Sequence, residues 1–341
     1  MTNFSVSLMK LYLERSIMMK TGATRQSLIG LLCGVAMLAL AACGSGDGSA
    51  SAAENDKAGG KIQVVATTGM VGDLVRVVGG EFVDVTALMG PGVDPHLYVA
   101  SEGDVSLLQD AQMIFYNGLF LEAQMDDILR QIGERKPVIA VGEAIDPARL
   151  LSWAGKGDEH DPHIWFDVSL WQETVAPVRD ALSELDPDHA ADYAANADLY
   201  LADLQTLDAY VKAQAARVSE AQRVLITAHD AFQYFGRAYG FQVRGLQGIS
   251  TASEAGTGDV RSLADFIAER QIPAIFVESS VPVRNVEALQ AAVRDRGYEV
   301  IIGGSLYSDA MGDATSGDDS YLTMFRHNID TIVGALLGET K

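Results

Sequence analysis

The chain has 341 residues, 48% of them hydrophobic and 21% charged, enough to pack about two domains and too apolar for a disordered chain. Forty-six acids against 25 Lys and Arg give a net charge of −21; such a surface repels phosphate backbones, so nucleic acid is not an expected partner. The two cysteines, Cys33 and Cys43, lie within the first 43 residues, which excludes a zinc ribbon, a disulfide scaffold or a cysteine nucleophile in the rest of the chain.

Lys10, Arg15, Lys20 and Arg25 precede an uncharged run from Leu28 to Ala42. Its 15 residues fall short of the roughly 20 a spanning helix needs and suit a secretory signal. The run ends in Leu40-Ala41-Ala42-Cys43, which resembles the bacterial lipobox; the alternative is an ordinary signal cut near Ala42. Residues 1–42 are therefore expected to be a lipoprotein signal peptide, with Cys43 lipidated. The mature chain would then carry 21 basic and 45 acidic residues, a net −24. Residues 43–60 are rich in Gly, Ala and Ser without apolar period and read as a flexible tether.

Beyond the tether, strand and helix patterns alternate. Strands are predicted at Ile62–Ala66, Phe82–Leu88, Met113–Tyr116 and Val138–Val141, with helices at Met70–Val78, Val105–Asp110 and Met125–Ile132 between them. A helical pattern from Val168 to Leu185 stops at Asp186-Pro187. A second runs from Asp188 to Ser219, 32 residues without Gly or Pro, about 50 Å at the helical rise. It reads as one rigid strut, the alternative being two helices with an unmarked kink. Strands then recur at Val224–Thr227, Gln242–Leu246, Ala274–Glu278 and Glu299–Ile302. Helices at Ala231–Tyr239, Val260–Arg270 and Val286–Arg296 alternate with them, and a last helix spans Ser320–Leu337. The expected fold is α/β, two parallel-sheet lobes (61–186 and 221–341) joined by a linking helix (187–220), with a site in the cleft between them.

Two histidines share Asp-Pro-His-x-aromatic: His96 in Asp94-Pro95-His96-Leu97-Tyr98 and His163 in Asp161-Pro162-His163-Ile164-Trp165. Each is read as following a strand, on a loop that proline stiffens. The Asp two residues earlier is in reach of an imidazole N–H, the contact that sets the tautomer of metal-bound His. One such loop alone would read as an ordinary core or surface histidine; two copies point to ligands. His229 follows the strand Val224–Thr227 at a strand-to-helix turn, and Asp309 follows the last strand in the same sense, the edge at which α/β proteins bind ligands. Three imidazoles and a carboxylate form a transition-metal shell. His160 is a loop histidine, while His189 and His327 read as surface.

MGPGVDPHLY, YNGLFLE, DPHIWFDVSLW, LITAHDAFQYFGRAYG, LQGISTASEAG, IFVESSV, GGSLYSDAMGD and HNIDTIV occur in that order between Ile62 and Leu337. Together they resemble the metal-binding lipoproteins of bacterial ABC importers for zinc and manganese, the TroA-like (cluster A-I) substrate-binding family. The resemblance implies two α/β lobes on one long helix, with metal held by His96, His163, His229 and Asp309. The zinc-specialised branch has a long His-rich loop, here reduced to GKGDEHD, and the manganese-specialised branch has Glu where His229 stands. Three nitrogens and one oxygen favour Zn2+, with Mn2+ or ferrous iron second.

The expected function is an extracytoplasmic, lipid-anchored, monomeric binding protein of the periplasm or cell surface. It would deliver metal as the transported ligand to a cognate ABC permease and its ATPase, with the membrane reached through the lipid anchor. Two other readings compete. A zinc-dependent hydrolase needs an open coordination position and a base; no HExxH occurs, and Glu278 reads as a supporting residue rather than a base. A lipid-anchored surface adhesin would bind through its surface instead of its cleft. Because ligand imidazoles must be neutral, metal affinity is expected to fall below about pH 6.

Overall fold

The computed structural model describes residues 60–153 and 156–339; the signal segment, Cys43 and nearly all of the tether lie outside the described residues. Four short strands, β1 (Ile62–Ala66), β2 (Val83–Ala87), β3 (Met113–Tyr116) and β4 (Val138–Ala140), pair in parallel in the order β2-β1-β3-β4. Helices α1 (Gly69–Gly79), α2 (Glu102–Asp110) and α3 (Asp126–Gly133) connect them. Period-two alternation sends side chains to opposite faces. Ile62, Val64, Ala66, Met113 and Phe115 enter a central core, while Val65 and Ile114 pack into a satellite cluster with Leu108 of α2 and Leu129 of α3.

The helical stretch predicted from Val168 to Leu185 is broken into α4 (Val168–Trp171), a 3-10 turn at Gln172–Thr174, and α5 (Val175–Leu185). Pro177 explains the restart: lacking an N–H, it is tolerated in a first helical turn but not inside one continuous helix. The long helix α6 spans Ala190–Ala215, 26 residues rather than 32 and about 39 Å long. Pro187–His189 forms a separate 3-10 turn before it. After it Ser219 is extended (φ −62°, ψ 146°), and the chain turns toward the second lobe.

The second lobe contains β5 (Val224–Thr227), α7 (Gln233–Tyr239), β6 (Gln242–Gly245), α8 (Thr257–Arg270), β7 (Ala274–Glu278), α9 (Arg284–Arg294), β8 (Ile301–Leu306) and α10 (Tyr321–Leu336). β5 pairs with β6 and β7 with β8, both in parallel, and β5 lies beside β7. β8 starts two residues later than predicted and runs through Gly303-Gly304, which the sequence pattern takes as a strand end. A Cβ at Gly303 would sit 2.6 Å from the Ala335 side chain, so glycine lets β8 pass under α10. The ladder absorbs the change with an irregularity between Ile275 and Val277.

Here too alternation divides the side chains. Leu225, Ala274 and Phe276 join the central core, whereas Val224, Ile226 and Ile275 pack separately with α8 and α9. Tyr193, Ala197, Tyr200, Leu204, Leu207, Val211 and Ala215 form one buried stripe of α6, repeating every three or four residues. That stripe faces α1 and α5 of the first lobe and α10 of the second. The two α/β lobes therefore share one continuous core around the long helix, and the described residues group as a single unit.

Candidate metal centre

Each of the four residues singled out in the sequence lies beyond the C-terminal end of a strand or in a loop at the same edge. His96 is in the loop after β2, His229 just after β5 and Asp309 just after β8. His163 differs from expectation: it follows no strand, but a loop closed by an antiparallel bridge between Ser152 and His160, and it precedes a 3-10 turn at Ile164–Phe166.

The shared Asp-Pro-His sequences fold alike. In both, the Asp Oδ1 accepts the His backbone N–H two residues on, at 2.9 Å for Asp94–His96 and 3.0 Å for Asp161–His163. The ring contacts diverge. Asp161 Oδ1 also accepts from His163 Nδ1 at 2.6 Å. Asp94 turns its other oxygen to Thr251, whose hydroxyl donates at 2.6 Å. His229 takes its support from β7: Glu278 Oε1 accepts the His229 backbone N–H at 2.9 Å and Oε2 accepts from Nδ1 at 2.5 Å. Asp230, the carboxylate adjacent in sequence, instead accepts from Gln233 Nε2. Gly245 makes room at this point, since a Cβ there would lie 2.4 Å from the Asp230 backbone nitrogen and 2.6 Å from the His229 carbonyl carbon.

A carboxylate only accepts, so His163 and His229 each carry a proton on Nδ1 and turn Nε2 inward, where a lone pair is free whenever the ring is neutral. Those two Nε2 atoms are 3.3 Å apart, and His96 Nε2 is 3.3 Å from His163 Nε2. Asp309 brings Oδ2 to 3.2 Å from His229 Nε2 and Oδ1 to 3.4 Å from His163 Nε2; His96 Nε2 is farther, at 3.9 Å from Oδ2. All four side chains are buried, and neither Asp309 oxygen has a hydrogen-bond partner. Ligands at about 2.0–2.1 Å from a tetrahedral ion are separated by about 3.3–3.4 Å. The two imidazole pairs that include His163 meet that spacing, and each Asp309 oxygen meets it within 0.2 Å toward one imidazole, Oδ1 toward His163 and Oδ2 toward His229. Among the described residues this is the one group of three or more His, Cys, Asp or Glu whose atoms converge within 4.8 Å.

The electrostatics call for a cation. Burial works against charging His163, yet Asp161 and Asp309 hold its pKa up at about 9. Burial likewise opposes charge on His229, and Asp309 with Glu278 outweighs it, raising that pKa well above the ordinary value. His96, without a carboxylate on its ring, is pushed down by burial to about 3. Burial pushes Asp309 up, but the flanking His229 and His163 hold it well below the usual range. Without a metal, protons on His163 and His229 offset the buried Asp309 charge, a part that a divalent ion bound there would take over.

The remaining histidines stay apart. His160 is half-buried and outside the group. His189 pairs with Asp186 and stacks on Phe82, and His327 Nε2 donates to the Ser305 carbonyl while its Nδ1 faces Asp318. Sequence reasoning did not pair Glu278 with His229, nor Thr251 with Asp94. It also gave no role to Glu122 of YNGLFLE, which is buried and accepts from Thr67 Oγ1, Asn117 N–H and Gly118 N–H. This orders the turn from which Asn117 donates to the Pro162 carbonyl beside His163.

Comparison with known proteins agrees with this architecture. The family model ZnuA, described as zinc-uptake complex component A, periplasmic, matches residues 64–335. The manganese-binding lipoprotein MntA of Bacillus subtilis (strain 168) is 46% identical over 309 residues, covering 90% of this chain and 99% of that protein. The zinc-binding protein TroA of Treponema pallidum (strain Nichols) is 50% identical over 279 residues, covering 82% and 90%. The solved structure of the periplasmic zinc-binding protein TroA from Treponema pallidum superposes with a TM-score of 0.79, over 81% of this chain and 99% of that one. The chain belongs to the ZnuA family of metal-binding components.

Proposed function

We propose that this member of the ZnuA family is an extracytoplasmic solute-binding lipoprotein that captures one divalent transition metal and hands it to an ABC permease driven by its ATPase. The observation that carries the reading is the convergence of three buried imidazoles, two of them held by carboxylates through Nδ1 so that Nε2 points inward, on a buried carboxylate with no hydrogen-bond partner. His96 and His163 from one lobe, and His229 and Asp309 from the other, would be the ligands. Residues 1–42 would be the signal peptide, Cys43 the lipid-bearing N-terminus, 43–60 the tether, and 61–186, 187–220 and 221–341 the lobe, linking segment and lobe of a monomer. No helix among the described residues is long and apolar enough to cross a membrane, which is compatible with anchoring through lipid alone.

Zinc is the preferred cargo, with manganese or ferrous iron second. Three neutral imidazoles suit zinc better than manganese, which is harder and favours more oxygen donors. Each Asp309 oxygen lies near a different imidazole, so Asp309 could bind through one oxygen, as zinc commonly takes, or through both, as a larger ion would. The printed names of relatives do not decide it, since one at 46% identity is manganese-binding and one at 50% zinc-binding.

The hydrolase reading loses support at two points. Four convergent ligands leave no open corner for water. Both Glu278 oxygens are engaged by His229, so Glu278 is not a free base. Metal analysis of the purified chain, with competitive zinc and manganese titrations of wild type and His229→Ala, tests the proposal. One tightly held equivalent, sharply weakened in the variant, is the expected result. No stoichiometric metal, or identical binding by the variant, would overturn it.

A further inference from the structure

The four converging side chains are not held with equal firmness. The His163 loop is bolted to the second lobe: the Tyr234 hydroxyl donates to the Asp161 carbonyl at 2.9 Å, Trp165 Nε1 donates to the Ser308 carbonyl at 3.0 Å, and the Tyr321 hydroxyl donates to the Trp165 carbonyl at 2.7 Å. Phe166 stacks on Phe232 at 4.1 Å, inside the shared core. His229 and Asp309 belong to that second lobe, and Ser308 adjoins Asp309. Three ligands thus form one block.

The His96 loop is attached differently. Beside His96, Leu97 is 52% and Val99 69% exposed, and the loop's packing partners belong to the satellite cluster of the first lobe. Among the described residues its hydrogen bond to the second lobe is the one from Thr251 Oγ1 to Asp94 Oδ2, 2.6 Å long. Because Asp94 Oδ1 holds the His96 N–H, a single carboxylate couples His96 to the segment that carries Thr251. That segment and His96 border a cavity of about 420 Å³, faced by Phe120 and Trp153; His163, His229 and Asp309 do not line it.

We propose that metal enters and leaves through this cavity by displacement of His96 against a fixed His163–His229–Asp309 platform, with the Asp94–Thr251 hydrogen bond as the catch that sets the exchange rate. The inference rests on the metal-binding reading above and adds the route and two positioning residues, Asp94 and Thr251. A catch present with and without metal raises the barrier in both directions, so its loss speeds uptake and release together and leaves the equilibrium nearly unchanged. A hydrogen bond to a charged group slows opening by about tenfold or more.

The test is stopped-flow zinc uptake, and zinc release to a chromophoric chelator, on the full chain. Thr251→Val removes the donor at constant shape. Both rates are expected to rise about tenfold, with Kd within about threefold of wild type and the metal-free thermal midpoint lowered by no more than about 4 °C. Thr251→Ser should restore wild-type rates, and Tyr234→Phe, which loosens the bolted side, should stay within about twofold of them. Unaltered rates in Thr251→Val would overturn the catch, as would a weakened Kd without faster uptake, the mark of a merely structural residue. Equal acceleration by Tyr234→Phe would move the gate to the His163 side and overturn the assignment. A wild-type chain that takes up no stoichiometric zinc would instead refute the functional reading itself, and the route with it.

Discussion

Replacing Glu278 by Gln perturbs the centre without touching a proposed ligand. Glu278 is 3% exposed and accepts from two His229 donors, the backbone N–H and the Nδ1–H, with separate oxygens. Glutamine offers one acceptor and one donor in the same shape. The backbone N–H cannot change, so the amide oxygen must face it and the amide nitrogen then faces Nδ1. That arrangement moves the imidazole proton to Nε2, the atom aimed at the metal position. Restoring the other tautomer sets donor against donor in a buried place, at about 1–3 kcal/mol. Zinc affinity should therefore fall about 10- to 100-fold, the range typical of lost support to a ligating His. An opposing effect exists: without the Glu278 charge, His229 binds its proton less tightly, which eases competition by about 1.4 kcal/mol per pKa unit. Proton competition matters less at high pH, so the deficit should be larger at pH 8.5 than at pH 7. Competition against a chromophoric chelator at both pH values reads this directly. Affinity equal to or above wild type at both would refute the tautomer argument.

Other consequences are open to measurement. His163, held at about 9, is protonated without metal at neutral pH, so binding must expel protons and affinity should climb from pH 6 toward 9. The climb is about tenfold per pH unit for each proton released; a flat profile over that range, or proton release near zero by calorimetry in two buffers, would contradict it. Gly245→Ala should lose about 1–3 kcal/mol in denaturant titration and weaken zinc binding, because its methyl collides with the His229–Asp230 backbone; wild-type affinity would argue against the close approach. Leu204→Ala, in the buried stripe of α6, should cost about 2–5 kcal/mol. It should lower one unfolding transition common to both lobes, since they share a core, and two separate transitions with only one shifted would refute that.

Much of the fold was legible because it is local. β3, β5 and β7 occur at the predicted residues, since buried parallel strands are short apolar runs whatever their neighbours. The loops of the candidate site were legible for a similar reason: Asp-Pro-His closes its own Asp-to-N–H turn, and His229 and Asp309 each follow a strand end. Errors fell where tertiary contact overrode pattern. Gly303-Gly304 reads as a stop until α10 packs over it, whereas the break before Pro177 is a local effect of the proline that a continuous helical period passes over.

What the amino-acid order determined by itself was the alternation of elements, the long helix and which residues are candidates for a metal shell, because propensity, period and turn geometry act within a few residues. Tertiary structure alone decided how those side chains are held. Glu278 lies 49 residues from His229, and Thr251 lies 157 from Asp94. Each pair meets only because β5 lies beside β7 and because both lobes close on α6. Those meetings choose the tautomer of one imidazole and the attachment of another, and no local pattern encodes either, since a carboxylate's partner is set by distance in space.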